Sequence, residues 1–209
     1  IEKAGTLTEL EDIYLPFRPK RKTRASAARE KGLEPLASEI FNFKISDPLQ
    51  KAAQFVNQEK GVNSAEDALA GARDIIAEMI SESESARKDM RNFWKNNASL
   101  SSKLAKGKEQ EAAKFQDYFD WQESCKSIPS HRMLALFRGE TEGFLKVSIA
   151  APEETASAIL ERHFVKNKSE CGKQVQLAAQ DAYERLLAPS MESEIRAELK
   201  LAADVEAIK

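Results

Sequence analysis

Two cysteines, two histidines and seven prolines in 209 residues first define what this chain is not. Cys125 and Cys171 are too few to staple a domain of this size, and neither has a C-x-x-C partner, so no disulfide framework, zinc centre or thiol redox chemistry is indicated. Two unpaired thiols fit a reducing compartment, and a cytoplasmic location is expected. His131 and His163 fall on separate predicted helices without Cys or carboxylate at ligand spacing, so no metal is expected. His131, beside Arg132 at a helix start, reads as a capping or packing residue rather than a general base. Gly61, Gly71, Gly107, Gly139 and Gly143 form no phosphate-cradling loop. Paired carboxylates such as Glu153 and Glu154 lie in solvated contexts. No stretch approaches eighteen apolar residues and no signal-peptide pattern opens the chain, so nothing is expected to span a membrane. These absences argue against an enzyme, a cofactor, a small-molecule substrate and a membrane partner.

What is present is charge, and it is unevenly placed. Charged residues make up 32% of the chain, as in helical proteins with salt-bridged exposed faces. Between Arg18 and Lys31 there are seven Lys or Arg and one acid, Glu30, a balance of +6 in a chain of net −2. Everything outside that segment therefore sums to −8. A concentrated positive patch on an acidic body is the electrostatic footprint of a phosphate-backbone contact. The competing reading is a solvated, solubilising charge run.

The segment also carries strong backbone signals. Pro16 and Pro19 push Leu15 and Arg18 toward extended geometry, which predicts a stiff, non-helical strap from Tyr14 to Lys20. Tyr14, Leu15 and Phe17 are expected to pin that strap to a core while Arg18, Lys20, Arg21 and Lys22 stay in water. Thr23 is a good N-cap for a short helix from Arg24 to Lys31. Gly32 ends it, and Pro35 sits near the first turn of a second helix reaching about Phe43. The pair has the spacing of a helix-turn-helix. Its second helix carries Glu34 and Glu39 rather than a row of Arg, Asn and Gln, which argues against base-specific readout. The candidate nucleic-acid-binding residues are Arg18, Lys20, Arg21, Lys22, Arg24, Arg29 and Lys31.

The remaining patterns are mostly helical. Pro48 opens a helix with Leu49, Ala52, Ala53 and Val56; Ser64 caps another whose Leu69, Ala72, Ile76, Met79 and Ile80 form one stripe facing a core. Ala86, Met90, Phe93 and Trp94 mark the next. Lys108 to Trp121 again has helical spacing at Ala112, Phe115, Tyr118 and Phe119. The cations Lys103, Lys106, Lys108 and Lys114 are interleaved with Glu109 and Glu111 there and read as a solvated helix face. Further helices follow Pro129, Pro152 and Lys173. A long amphipathic one from Pro189 carries Met191, Ile195, Leu199, Ala202, Val205 and Ile208. Phe144 to Ile149 is the one credible strand, with Leu145, Val147 and Ile149 alternating with polar residues. Its partner is either poorly patterned or outside the chain. The predicted fold is mainly α: a multi-helical bundle with a helix-turn-helix-like unit and at most one short strand or hairpin. Three segments are expected: 1–45 as basic strap and helix-turn-helix-like unit, 46–150 as a helical domain ending in the strand, and 151–209 as long connecting helices.

The run Leu10 to Arg24 (LEDIYLPFRPKRKTR), followed by Ala28 to Ala37 (AREKGLEPLA), resembles the Tex family of bacterial transcription accessory proteins. Further matches run in order along the chain. They include Lys60-Gly61-Val62, Ala68 to Arg73, Gly107-Lys108-Glu109, Ile128 to Arg132, Leu136 to Gly139, Glu142 to Leu145 and Ala203 to Ile208. Ile13, Phe17 and Arg18 are conservative changes from the family pattern. The loop after Ile149 is shorter than in some members. The resemblance implies a longer parent protein, with helices before this region and, after it, an RNase-H-like fold, helix-hairpin-helix repeats and an OB-type RNA-binding domain. The chain opens at Ile1 without methionine and stops at Lys209 inside a helical pattern, so both edges read as cut. The function implied is non-sequence-specific binding of RNA or DNA phosphates in transcription regulation, with the missing OB-type domain supplying much of the RNA affinity. The alternative is a scaffold contacting other domains of the protein, RNA polymerase or ribosome-associated proteins.

Overall fold

The computed structural model describes residues 5–18 and 22–207. Those residues are mainly α-helical with one small sheet. In chain order the first elements are α1 (Leu7–Tyr14), α2 (Arg24–Glu30), α3 (Glu34–Phe41), α4 (Pro48–Ala52), α5 (Ala65–Ser81) and α6 (Glu84–Asn97). They are followed by β1 (Ser99–Leu104), β2 (Asp120–Ser124), α7 (Ser130–Thr141), β3 (Leu145–Ala150), α8 (Glu153–Phe164), α9 (Glu170–Asp181) and α10 (Ala188–Ala207), with a π-helical turn over Ala182–Leu187. Two compact units result, each assembled from two separate stretches of chain: Ile1–Asp89 with Glu154–Leu187, and Met90–Glu153 with Ala188–Lys209.

In the first unit α5 is the hub, and α2, α3, α4, α9 and the π-helical turn all pack on it. Ser64 caps α5 by accepting from the Asp67 amide at 3.1 Å, and Leu69, Ala72, Ile76 and Ile80 are buried as the periodicity predicts. Met79 departs from that expectation and is exposed. Neighbours cover Ile75, Ile76, Ala77, Glu78, Ile80 and Ser81, so from Ile75 to Ser81 Met79 alone is exposed. The two short helices expected on either side of Gly32 are present as α2 and α3. Thr23 and Ser26 form a reciprocal capping box at the start of α2. At its end Gly32 takes φ +81, its amide donates to the Arg29 carbonyl, and the Leu33 amide donates to the Ala28 carbonyl. This is the paired closure that a left-handed residue makes possible, so glycine is required there.

The strap differs from the expected extended segment. Tyr14 ends α1, and Leu15–Phe17 continues as a 3-10 turn in which Pro16 occupies a first-turn position that needs no amide donor. Arg18 then turns extended. Tyr14 and Phe17 do not pin the turn: they are 49% and 77% exposed. Pro19, Lys20 and Arg21 lie outside the described residues.

The second unit is built on an antiparallel sheet of order β2-β1-β3. Leu145, Val147 and Ile149 of β3 are buried in strict alternation, as the period of two predicts. Its partner is the serine-rich β1, with Leu100 opposite Ile149 and Ser102 opposite Val147. The buried Ser102 hydroxyl donates to the Tyr118 carbonyl, which offsets the cost of placing a serine inside. The α-helix expected over Lys108–Trp121 is instead a 3-10 segment, Ala113–Tyr118, leading into β2. The outer edge of β3 is occupied by side chains of α10. Glu192 accepts from the Ile149 amide at 3.2 Å, and Arg196 donates to the Val147 carbonyl at 2.8 Å. Edge groups satisfied this way do not template a further strand.

Cys125, buried just past β2, has its thiol pushed by burial up to about 11. Burial also pushes Cys171 up. The unfolded chain releases the Cys125 proton near pH 9 while the folded chain retains it, so stability is complete below that pH and falls above it. The expected loss steepens toward, without exceeding, about 1.4 kcal/mol per pH unit midway between pH 9 and 11. Urea unfolding at pH 8 and pH 10 measures it, and Cys125→Ala should flatten the slope.

Candidate nucleic-acid interface

The basic segment folds onto α5 through one buried carboxylate. Glu78 accepts from Arg29 Nη1 at 2.7 Å and from the Thr23 hydroxyl at 3.1 Å, so a single side chain holds both the cap and the last turn of α2. Arg29 also reaches Glu34 at 3.5 Å. Burial pulls the Arg29 guanidinium down, but the hydrogen bond and charge of Glu78, reinforced by Glu34, more than offset it and hold it above its ordinary value. Arg29 is thereby separated from the other candidate cations: its charge is already paired with Glu78 and Glu34.

Arg18, Lys22, Arg24 and Lys31 are exposed. Lys22 approaches Glu30 only at 4.0 Å, with both side chains largely in water, an arrangement worth little. Within the described residues no carboxylate lies at ion-pair distance from Arg18, Arg24 or Lys31. The Lys31 ammonium donates to the Gly61 carbonyl at 3.2 Å. Lys20 and Arg21 lie outside the described residues.

One cation was not legible from the segment. Lys60, at the turn before α5, is brought across to the α2–α3 turn, with its ammonium 3.8 Å from where a Gly32 side chain would begin. Lys31 lies over Gly61 in the same manner. Two glycine turns thus let two lysines cross. Beside them runs an open groove of about 400 Å³ lined by Arg24, Ala27, Lys31, Gly61, Asn63 and Asp74, among others. Asp67 and Asp74 are the acids of this groove. Burial raises the Asp74 carboxyl from its ordinary value; Arg185 opposes the rise, Asp181 adds to it, and Arg24 and Arg73 oppose it more weakly. The groove therefore has cations, Arg24 and Lys31, facing two carboxylates, Asp67 and Asp74.

Elsewhere the chemistry-bearing residues are dispersed. His163 bonds Asp89 at 2.8 Å, and His131 is exposed at the start of α7. Among the described residues no group of three His, Cys, Asp or Glu is placed to hold a metal ion, and no helix is long and apolar enough to cross a membrane.

Residues 44–209 match a family model described as Tex central region-like. The chain is 46% identical to the protein tex of Bordetella pertussis over 71% of its own length and 19% of that protein. It is 35% identical to the transcriptional accessory protein Tex of Neisseria gonorrhoeae over its full length and 28% of that relative. The S1 RNA-binding domain-containing protein 1 of Pongo abelii is 27% identical over 97% of the chain and 22% of the relative. The chain thus spans less than a third of the proteins it matches. Alignment from end to end with one Tex protein, and a family match from residue 44 onward, make this chain a member of the Tex family.

Proposed function

We propose that the chain is a non-catalytic helical module of a Tex-like transcription accessory protein that binds RNA or DNA through phosphates, without reading sequence. Arg18, Lys20, Arg21, Lys22, Arg24 and Lys31, joined by Lys60, form the contact surface, and Arg29 fixes the helix that presents it. The observation carrying this reading is that Arg18, Arg24 and Lys31 stand exposed with no carboxylate at ion-pair distance among the described residues, on a protein of net −2. Placed cations left open to solvent release counterions when they meet a polyanion. The names of the relatives, one transcriptional accessory and one RNA-binding, agree with the reading. Action in the cytoplasm belongs to the same proposal.

Three or four phosphate contacts give log K against log salt a slope of about −3. Lys22→Glu combined with Arg24→Glu should flatten that slope by roughly 2 and weaken binding to any oligonucleotide sequence alike. Thermal stability should stay within a degree or two, since neither residue holds a buried partner. The pairing of Arg29 with Glu78 favours a second reading, in which the segment is chiefly structural and docks RNA polymerase or ribosome-associated proteins. No nucleic-acid binding at low salt by the unmutated chain, with lost stability in the double variant, would establish that reading instead.

A further inference from the structure

The cationic reading leaves two side chains of the same segment unexplained. Tyr14 closes α1 and Phe17 closes the 3-10 turn that follows, and both rings stand in water, Phe17 at 77% exposure. Residues three apart on a continuous helical path share one side of it. The turn is stiffened by Pro16 and closed by the Arg18 amide donating to the Leu15 carbonyl at 3.3 Å. A large ring kept in water on a short, proline-stiffened turn is already positioned for a contact, so little conformational freedom is lost on binding. The exposed guanidinium of Arg18 comes immediately after Phe17, and Lys22 and Arg24 follow within seven residues. Aromatic faces beside backbone-tracking cations are the two components of a surface for unpaired nucleic acid. Bases stack on the rings while their phosphates meet the charges, and a duplex keeps its bases stacked on one another and unavailable.

We propose that Phe17, with Tyr14 beside it, is a base-stacking platform, and that this segment therefore prefers single-stranded nucleic acid over duplex. The proposal rests on the phosphate-binding reading above and adds a specificity that phosphate contacts alone do not confer. Phe17 touches the base; Arg18, Lys22 and Arg24 hold the strand against it.

The test compares Phe17→Ala, Phe17→Leu and Phe17→Trp in the whole 209-residue chain, titrated with a twelve-nucleotide single strand and with a twelve-base-pair duplex. Loss of one stack is expected to weaken single-strand binding by roughly 5- to 150-fold in Phe17→Ala. Duplex binding and the salt slope should hold within a factor of two. Phe17→Trp should bind as well as the unmutated chain, whereas Phe17→Leu, apolar but without a π face, should not. Equal loss on both ligands, no loss on either, or full rescue by leucine would overturn the platform. So would a change in sedimentation coefficient on Phe17→Ala, which would identify the ring as a protein contact. The phosphate reading is judged separately. If Lys22→Glu with Arg24→Glu abolishes binding while Phe17→Ala does not weaken it, only the stacking platform falls.

Discussion

Replacing Gly172 by alanine is expected to destabilise the first unit by about 3 kcal/mol, roughly 6–12 °C in Tm for a chain of this size. Gly172 is in the first turn of α9, where its amide donates to the capping hydroxyl of Ser169 at 3.2 Å. The loop before the helix folds back over it, and a Cβ at this position would overlap the carbonyl oxygen of Asn167 outright and stand 3.1 Å from its carbonyl carbon. The obstruction is backbone, not the far end of a flexible chain, so relief requires moving the loop. Moving it also disturbs the Asn167 side chain, which accepts from the Ser169 amide at 3.0 Å, and with it the cap, itself worth about 1 kcal/mol. Circular dichroism melting gives the magnitude, and hydrogen exchange should place the lost protection in α9. A Tm within two degrees of the parent would mean the Asn167 peptide swings away freely.

The second large effect comes from the ion pair that ties α1 to α6. Arg87 Nε donates to Asp12 Oδ1 at 2.7 Å, and the two residues are only 7% and 5% exposed. Asp12→Ala takes the carboxylate away from a guanidinium that stays buried, at an expected cost of about 3–5 kcal/mol. Asp12→Leu combined with Arg87→Met removes both charges and should recover most of that loss. Asp12→Leu and Arg87→Met made singly complete a cycle with the double, and near-additive losses would show that the pair is not coupled. Because α1 leads directly into the turn carrying Phe17 and Arg18, Asp12→Ala should also weaken oligonucleotide binding. The recovered double variant should restore it.

The contrast between α2 and β1 shows which parts of this fold the sequence discloses. Thr23, Gly32 and Pro35 each act on their own backbone neighbourhood, so the two short helices and their turn could be placed residue by residue. β3 declared itself through strict alternation of Leu145, Val147 and Ile149. β1 and β2 did not, because SLSSKL and DWQES hold no β-branched residue and β1 places Ser102 among its inward positions. The tertiary setting supplied their pairing, and it overrode the helical period of Ala112, Phe115, Tyr118 and Phe119. At the candidate interface the positive segment itself was legible from charge counting. The commitment of Arg29 to Glu78, forty-nine positions away, and the arrival of Lys60 beside Gly32 were not, since both depend on how α2 packs against α5.

The interleaving of the two units sets a clock on biosynthesis. The buried side of α5, with Ile75, Ile76 and Ile80, takes its cover in part from α9, with Val175, Ala178 and Ala179. Between the two stretches of the first unit the ribosome must translate sixty-four residues, 90–153, that belong to the other. At 5–20 residues per second that is a wait of roughly 3–13 s during which α5 has its α2, α3 and α4 neighbours but not α9. Slowing translation over 90–153 should lengthen that interval.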